Sequence, residues 1–216
     1  MHYKNLSIHW LGHAAFKIKT ADNKIIYIDP FQISEENEKA DLLFITHAHY
    51  DHCSIEDIKK IIQPHTIVIC PSDVQSKIAK ASDNVNIQIV HPEKNYTIQN
   101  ISFTTTPAYT PKKTFHPQHN EWVGYIITID KITLYHAGDT DFIPEMKNIH
   151  TDIVLLPVGG TYTMNAQEAI QAATMIKPAI AIPMHWGSIV GTQEDAQIFV
   201  NGCKENNIDA IMLEKE

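Results

Sequence analysis

The stretch Thr46-His47-Ala48-His49-Tyr50-Asp51-His52 decides how this chain is read. Four metal-competent side chains fall within six positions, directly after an apolar run over 41–46 and directly before a helix start at Ser54. Successive side chains of a strand point to opposite faces, so strand alternation alone would not gather all four. A tight loop at a strand end would. On that geometry His47 and His49 face one metal, and Asp51 and His52 turn toward a second. Imidazole and carboxylate together suit Zn²⁺, with Mn²⁺ or Fe as alternatives.

Outward from this loop, short apolar runs rich in Ile, Val, Tyr and Phe recur, and they read as strands. They cover 7–10, 14–19, 24–29, 41–46, 66–70, 86–91, 101–106, 123–129, 132–136, 152–156, 179–183 and 209–213. Helices open on capping pairs spaced i, i+3: Ser54 with Asp57, Ser72 with Gln75, Asn165 with Glu168 and Thr192 with Asp195. They run to about Ile62, Ala81, Ile176 and Asn206, and Pro64 and Pro178 stop two of them. The order strand, strand, helix, strand occurs twice, once over 24–70 and once over 132–183. Asp29 precedes Asp41 by 12 residues and Asp139 precedes Asp152 by 13, which pairs Asp29 with Asp139. Two such halves with helices outside make an α/β arrangement in which strand ends, and the loops that carry function, share an edge.

HxHxDH after a strand resembles the signature of the metallo-β-lactamase superfamily. That resemblance implies a four-layer αββα sandwich, two mixed sheets face to face and internally duplicated, as one domain over 1–216. Further motifs are similar across nearly the whole chain. His136-Ala-Gly-Asp139-Thr140 resembles the element holding the family's bridging aspartate, and Pro183-Met-His185-Trp-Gly187 the one holding its last metal histidine. Asp29, at the end of Ile25-Ile-Tyr-Ile-Asp29, resembles a buried carboxylate that braces the histidine loop. Trp10-Leu-Gly12-His13-Ala14 resembles a Gly-His element of the branch that includes ascorbate-phosphate lactonases, where His13 would act on substrate or leaving group. The family's third histidine is expected just after a mid-chain strand, but here Pro107-Ala108-Tyr109 stands at that place. His116 is preferred, with His119 and Tyr109 as the alternatives. The implied metal ligands are thus His47, His49, Asp51, His52, His116, Asp139 and His185.

The loop Gly159-Gly160-Thr161-Tyr162-Thr163 falls on the same expected edge, and Thr161, Tyr162 and Thr163 are assigned to substrate. The resemblance implies a metal-activated hydroxide, oriented by Asp51 with His13 as proton donor, attacking a small ester, lactone, amide or phosphodiester. The rival readings are an iron-dependent redox enzyme on the same site and a binding or sensing protein without turnover.

Composition fits that picture. The chain has 216 residues, a net charge of −8, 17 lysines and no arginine, so it lacks the basic stripe and the bidentate forks of a nucleic-acid binder. It has no apolar run long enough to span a membrane, and its first ten residues do not read as a signal peptide. Cys53, Cys70 and Cys203 form no CxxC pair and suit a reducing cytoplasm. Histidine is the anomaly, with 13 residues, several at strand ends. A small-molecule substrate is the expected partner, and homo-oligomerisation stays open.

Overall fold

A computed structural model describes residues 1–81 and 85–216. The chain divides into two compact units, residues 1–91 with 213–216, and residues 92–212. Each is built on one mixed sheet.

The first unit holds seven strands in sequential order: β1 (His2–Tyr3), β2 (Leu6–Gly12), β3 (Ala15–Lys19), β4 (Ile25–Ile28), β5 (Leu42–Phe44), β6 (Ile67–Cys70) and β7 (Asn86–Ile89). Neighbours are antiparallel from β1 to β4 and parallel from β4 to β7. The parallel crossings need returning connections: the irregular chain over 29–41 for β4 to β5, α1 (Ile55–Ile61) for β5 to β6, and a 3-10 turn over Ser72–Val74 leading into α2 (Gln75–Ile78) on the way from β6 to β7. Leu43, Ile45, Val68, Ile58, Ile61, Val74 and Ile78 are fully buried and join these helices to the sheet in one apolar cluster. Asp57 latches the chain that follows β4 to α1. It accepts from the backbone N–H groups of Gln32 at 2.9 Å and Ile33 at 3.1 Å, and from the Ser54 hydroxyl at 2.6 Å.

The second unit holds six strands: β8 (Asn95–Ile98), β9 (Ile101–Pro107), β10 (Val123–Ile129), β11 (Ile132–His136), β12 (Ile153–Pro157) and β13 (Ile180–Met184), arranged in sequential order. β8 to β11 form an antiparallel meander, and β11, β12 and β13 are parallel. Gln99-Asn100 and Asp130-Lys131 make its two-residue turns, both residues of each at positive φ, the geometry whose twist matches paired strands. α3 (Ala166–Ile176) returns β12 to β13, and α4 (Gln193–Glu205) follows. Asn165 and Thr192 each form a complete capping box, as their i, i+3 spacing predicts.

The expected duplication is present in the hydrogen bonding. Asp41 accepts from the Ile25 N–H at 2.8 Å, and Asp152 from the Thr133 N–H at 2.8 Å. One detail of the repeat is corrected by the register. The Asp29 N–H donates to the Phe44 carbonyl, and the equivalent bond in the second unit runs from Ala137 to Leu155. Ala137 is therefore the counterpart of Asp29, and Asp139 lies two residues further along its loop.

Three other expectations change. The run 209–213 makes only a single bridge, Ala210 to Ala181, and is not a strand. Ser72 caps nothing, because Pro71 precedes a 3-10 turn and the helix proper begins at Gln75. β8 was not expected from the sequence: its Asn-Tyr-Thr-Ile run is too polar to read as a half-buried strand, and it pairs only because the Gln99-Asn100 turn folds it onto β9.

Candidate metal centre

In the first unit the metal-competent side chains arise where β4 and β5 end. Asp29 is fully buried and has φ 45°, a left-handed conformation that turns the chain sharply as β4 stops. Its carboxylate accepts from the Thr46 N–H at 2.8 Å, from the Thr46 hydroxyl at 2.6 Å and from His52 Nδ1 at 2.7 Å. Thr46 Oγ1 is also 2.9 Å from His47 Nδ1. The proton positions follow from these partners. The Thr46 hydroxyl gives its proton to Asp29, so it accepts from His47 Nδ1–H. His52 likewise donates from Nδ1. Both rings therefore present an Nε2 lone pair.

Other metal-competent atoms stand near those lone pairs. His47 Nε2 is 3.0 Å from His49 Nδ1. His52 Nε2 is 3.6 Å from Asp51 Oδ2, and the His47 and His52 ring centroids lie 4.1 Å apart. His13, at φ 51° between β2 and β3, reaches the same Asp51 oxygen with Nε2 at 2.9 Å.

In the second unit three loops contribute. Asp139 follows β11 and is 3% exposed. Its Oδ2 has His116 Nε2 at 3.1 Å and His185 Nε2 at 3.1 Å. His185 leaves β13 at φ 61°. A Cβ on Gly159 would stand 2.6 Å from the His185 carbonyl oxygen, so only glycine lets these two loops approach so closely. His116 packs its ring against Trp122 at 5.6 Å.

These donor sets fit divalent cations. Imidazole nitrogens and carboxylate oxygens lie close together at largely buried positions, the ligand chemistry of zinc and related ions.

The family model described as the β-lactamase superfamily domain matches residues 7–185. The chain belongs to the metallo-β-lactamase superfamily. Within that superfamily it is a metal-dependent hydrolase, and its relatives carry that description. A UPF0173 metal-dependent hydrolase of Thermoplasma acidophilum is 34% identical over 209 residues, 91% of this chain and 90% of its own. A structure from Parabacteroides distasonis, described as a metal-dependent hydrolase, has a TM-score of 0.86 at 30% identity, covering 98% of this chain and 94% of that one. Igni18, a metallo hydrolase of Ignicoccus hospitalis, shares the fold with a TM-score of 0.79 at 23% identity, over 97% of this chain and 95% of its own. The two mixed sheets with their helices are thus the αββα class of the metallo-β-lactamase superfamily.

Of the three alternatives for the third histidine, His116 is the one turned to Asp139. The Tyr109 hydroxyl donates to Glu145 at 3.1 Å, and burial together with that carboxylate pushes its pKa up. His119 lines a separate cleft of about 530 Å³ with Tyr109 and Trp122. Among the residues assigned to substrate, Thr161 is exposed and Tyr162 half-buried, its ring 4.7 Å from Phe115. Thr163 is fully buried and its hydroxyl turns to the Met164 carbonyl, so its side chain serves the loop and is closed to a ligand. Sequence reasoning missed Thr46, which relays Asp29 to His47. Its signal was the one hydroxyl residue between an apolar strand and the first histidine.

Proposed function

We propose that this metallo-β-lactamase superfamily member hydrolyses a small ester, lactone, amide or phosphodiester with two divalent cations, zinc favoured, held by His47, His49, Asp51, His52, His116, Asp139 and His185. The observation that carries the reading is the pair of contacts at the Nδ1 atoms, Thr46 Oγ1 at 2.9 Å from His47 Nδ1 and Asp29 Oδ2 at 2.7 Å from His52 Nδ1. With the Thr46 hydroxyl donating to Asp29, these contacts favour protons on Nδ1, and the Nε2 lone pairs are then available to a metal. When bound, such cations act as Lewis acids that lower the pKa of water toward about 7 and polarise a substrate oxygen.

The chain's own residues have distinct tasks. Asp51 orients the attacking water through its carboxylate. His13 holds a proton at Nε2 against Asp51 Oδ2 and is the group placed to pass it on. Thr161 and Tyr162 face the substrate from the loop after β12. A net charge of −8 without arginine favours a small molecule over nucleic acid. Among the described residues no helix is long and apolar enough to cross a membrane, and three buried free thiols suit a reducing cytoplasm.

The test is reconstitution of the chelated protein with Zn²⁺, Mn²⁺, Fe²⁺ or Co²⁺, followed by a panel of nitrophenyl esters, lactones, thioesters and bis(nitrophenyl) phosphate. Asp139→Ala is expected to lower metal content and abolish the hydrolysis found. Full activity in that variant would remove Asp139 from the centre.

A further inference from the structure

His116 stands nine residues beyond Pro107, the end of β9, inside a loop with no strand or α-helix to hold it. A metal ligand must be held within about 0.5 Å of its working position. Short-range turns run along the loop, among them the Lys113 N–H to the Thr110 carbonyl at 3.2 Å, and two longer bonds close it from within. The Thr110 N–H donates to the His116 carbonyl at 2.9 Å, and the Ala108 N–H to the Trp122 carbonyl at 3.0 Å. Neither fixes the loop against Asp139. At the loop's base the Tyr109 N–H donates to Thr140 Oγ1 at 3.3 Å, and the Asp141 N–H to the Tyr109 carbonyl at 3.0 Å.

At its tip the tie is ionic. The Lys113 ammonium pairs with the Asp141 carboxylate and donates to the Thr163 carbonyl at 2.7 Å. Asp141 lies two residues after Asp139 in the same loop. Thr163 lies in the loop whose Gly159 packs against His185. One side chain therefore joins the segments that carry His116 and Asp139 to the loop that packs against His185 through Gly159. The pair is largely shielded, with Lys113 side-chain exposure of 23% and Asp141 of 11%, so it is not an ordinary solvated surface contact.

We infer that Lys113 is a positioning residue that staples the His116 loop to the Asp139 and 158–165 loops, and that it sets the metal affinity of this half of the centre without touching metal or substrate. The inference rests on the ligand reading proposed above. An outer partner that orients a ligand changes affinity by about 10–100-fold when removed.

The experiment measures the cobalt dissociation constant by chelator competition and records the visible spectrum of the Co²⁺-loaded protein. Lys113→Met is expected to weaken cobalt binding about 10-fold and to alter the ligand-field bands. Lys113→Arg, which keeps the charge and its donors, is expected to stay within about twofold of the parent. The pair Lys113→Met with Asp141→Leu removes both charges, so no buried carboxylate is left alone. It is expected to recover folding stability but not cobalt affinity. Parental affinity and bands in Lys113→Met, or recovery of affinity in the double variant, would overturn the staple alone. A parent protein that takes up no cobalt overturns both the staple and the metal centre it rests on.

Discussion

Asp29→Asn separates tautomer control from simple packing. Asparagine tolerates the φ of 45° at this position better than most residues, so the backbone is little disturbed. The side chain keeps one oxygen for the Thr46 N–H at 2.8 Å but sets an NH₂ against the Thr46 hydroxyl and His52 Nδ1, at 2.6 and 2.7 Å. If nothing relaxes, two buried donors face a donor, at about 1–3 kcal/mol each. The protein has a cheaper response. His52 can move its proton to Nε2 and accept from the new amide, and the Thr46 hydroxyl can swing to donate to His47 Nδ1, moving that proton to Nε2 as well. The stability loss then shrinks to about 1 kcal/mol. Both rings, however, now carry a proton where a metal needs a lone pair. The expected result is a modest shift in the urea midpoint of the metal-free protein together with at least about a tenfold loss of zinc affinity. Long-range ¹⁵N–¹H spectra of the histidine rings would show Nε2 protonation in the variant and Nδ1 protonation in the parent. Parental zinc affinity with an unchanged His52 tautomer would refute the reasoning.

Other outcomes follow from the same contacts. Gly159→Ala places a Cβ 2.6 Å from the His185 carbonyl oxygen and 3.0 Å from Val190, so it should lower unfolding free energy by about 1–3 kcal/mol in urea titration and reduce metal content with it. For Asp57, burial pushes the carboxyl up, but hydrogen bonds from Ser54, Lys60 and the Gln32 N–H outweigh it and hold the pKa below the ordinary 3.8. Its stabilisation is thus present above that ordinary value and lost as pH falls through the lowered one. Asp57→Asn should be less stable than the parent at pH 6, and the difference should narrow in acid below about 3.8. The thiols of Cys53, Cys70 and Cys203 are pushed up to about 12 by burial, so a thiol reagent at pH 8 should leave the folded protein unlabelled and label all three once it is unfolded.

Much of the architecture was legible because it is written in local chemistry. The apolar runs that became β4, β5, β11, β12 and β13 are short, bounded and almost wholly apolar. Asn165 and Thr192 announce their helices by spacing alone. His47, His49, Asp51 and His52 are adjacent in sequence, so their clustering is visible without a fold. What was illegible depends on contacts between distant segments. Lys113 reads as a solvated charge beside Lys112 until the chain brings Asp141 and Thr163 to it. Thr163 looked available for a ligand because a hydroxyl in a glycine loop carries no mark of burial. The pairing of Asp29 with Asp139 came from similar spacing to the next aspartate, and loops of different length after β4 and β11 made that spacing misleading. The run 209–213 is apolar enough to read as a strand, yet pairs through a single residue.

The central claim is that His47 and His185 are metal ligands. Anomalous diffraction at the zinc edge, on crystals of the zinc-loaded protein, addresses it directly. The account predicts peaks bonded to His47 Nε2 and to His185 Nε2, with Asp139 as a ligand. A zinc-saturated crystal with no peak at either ring would contradict it.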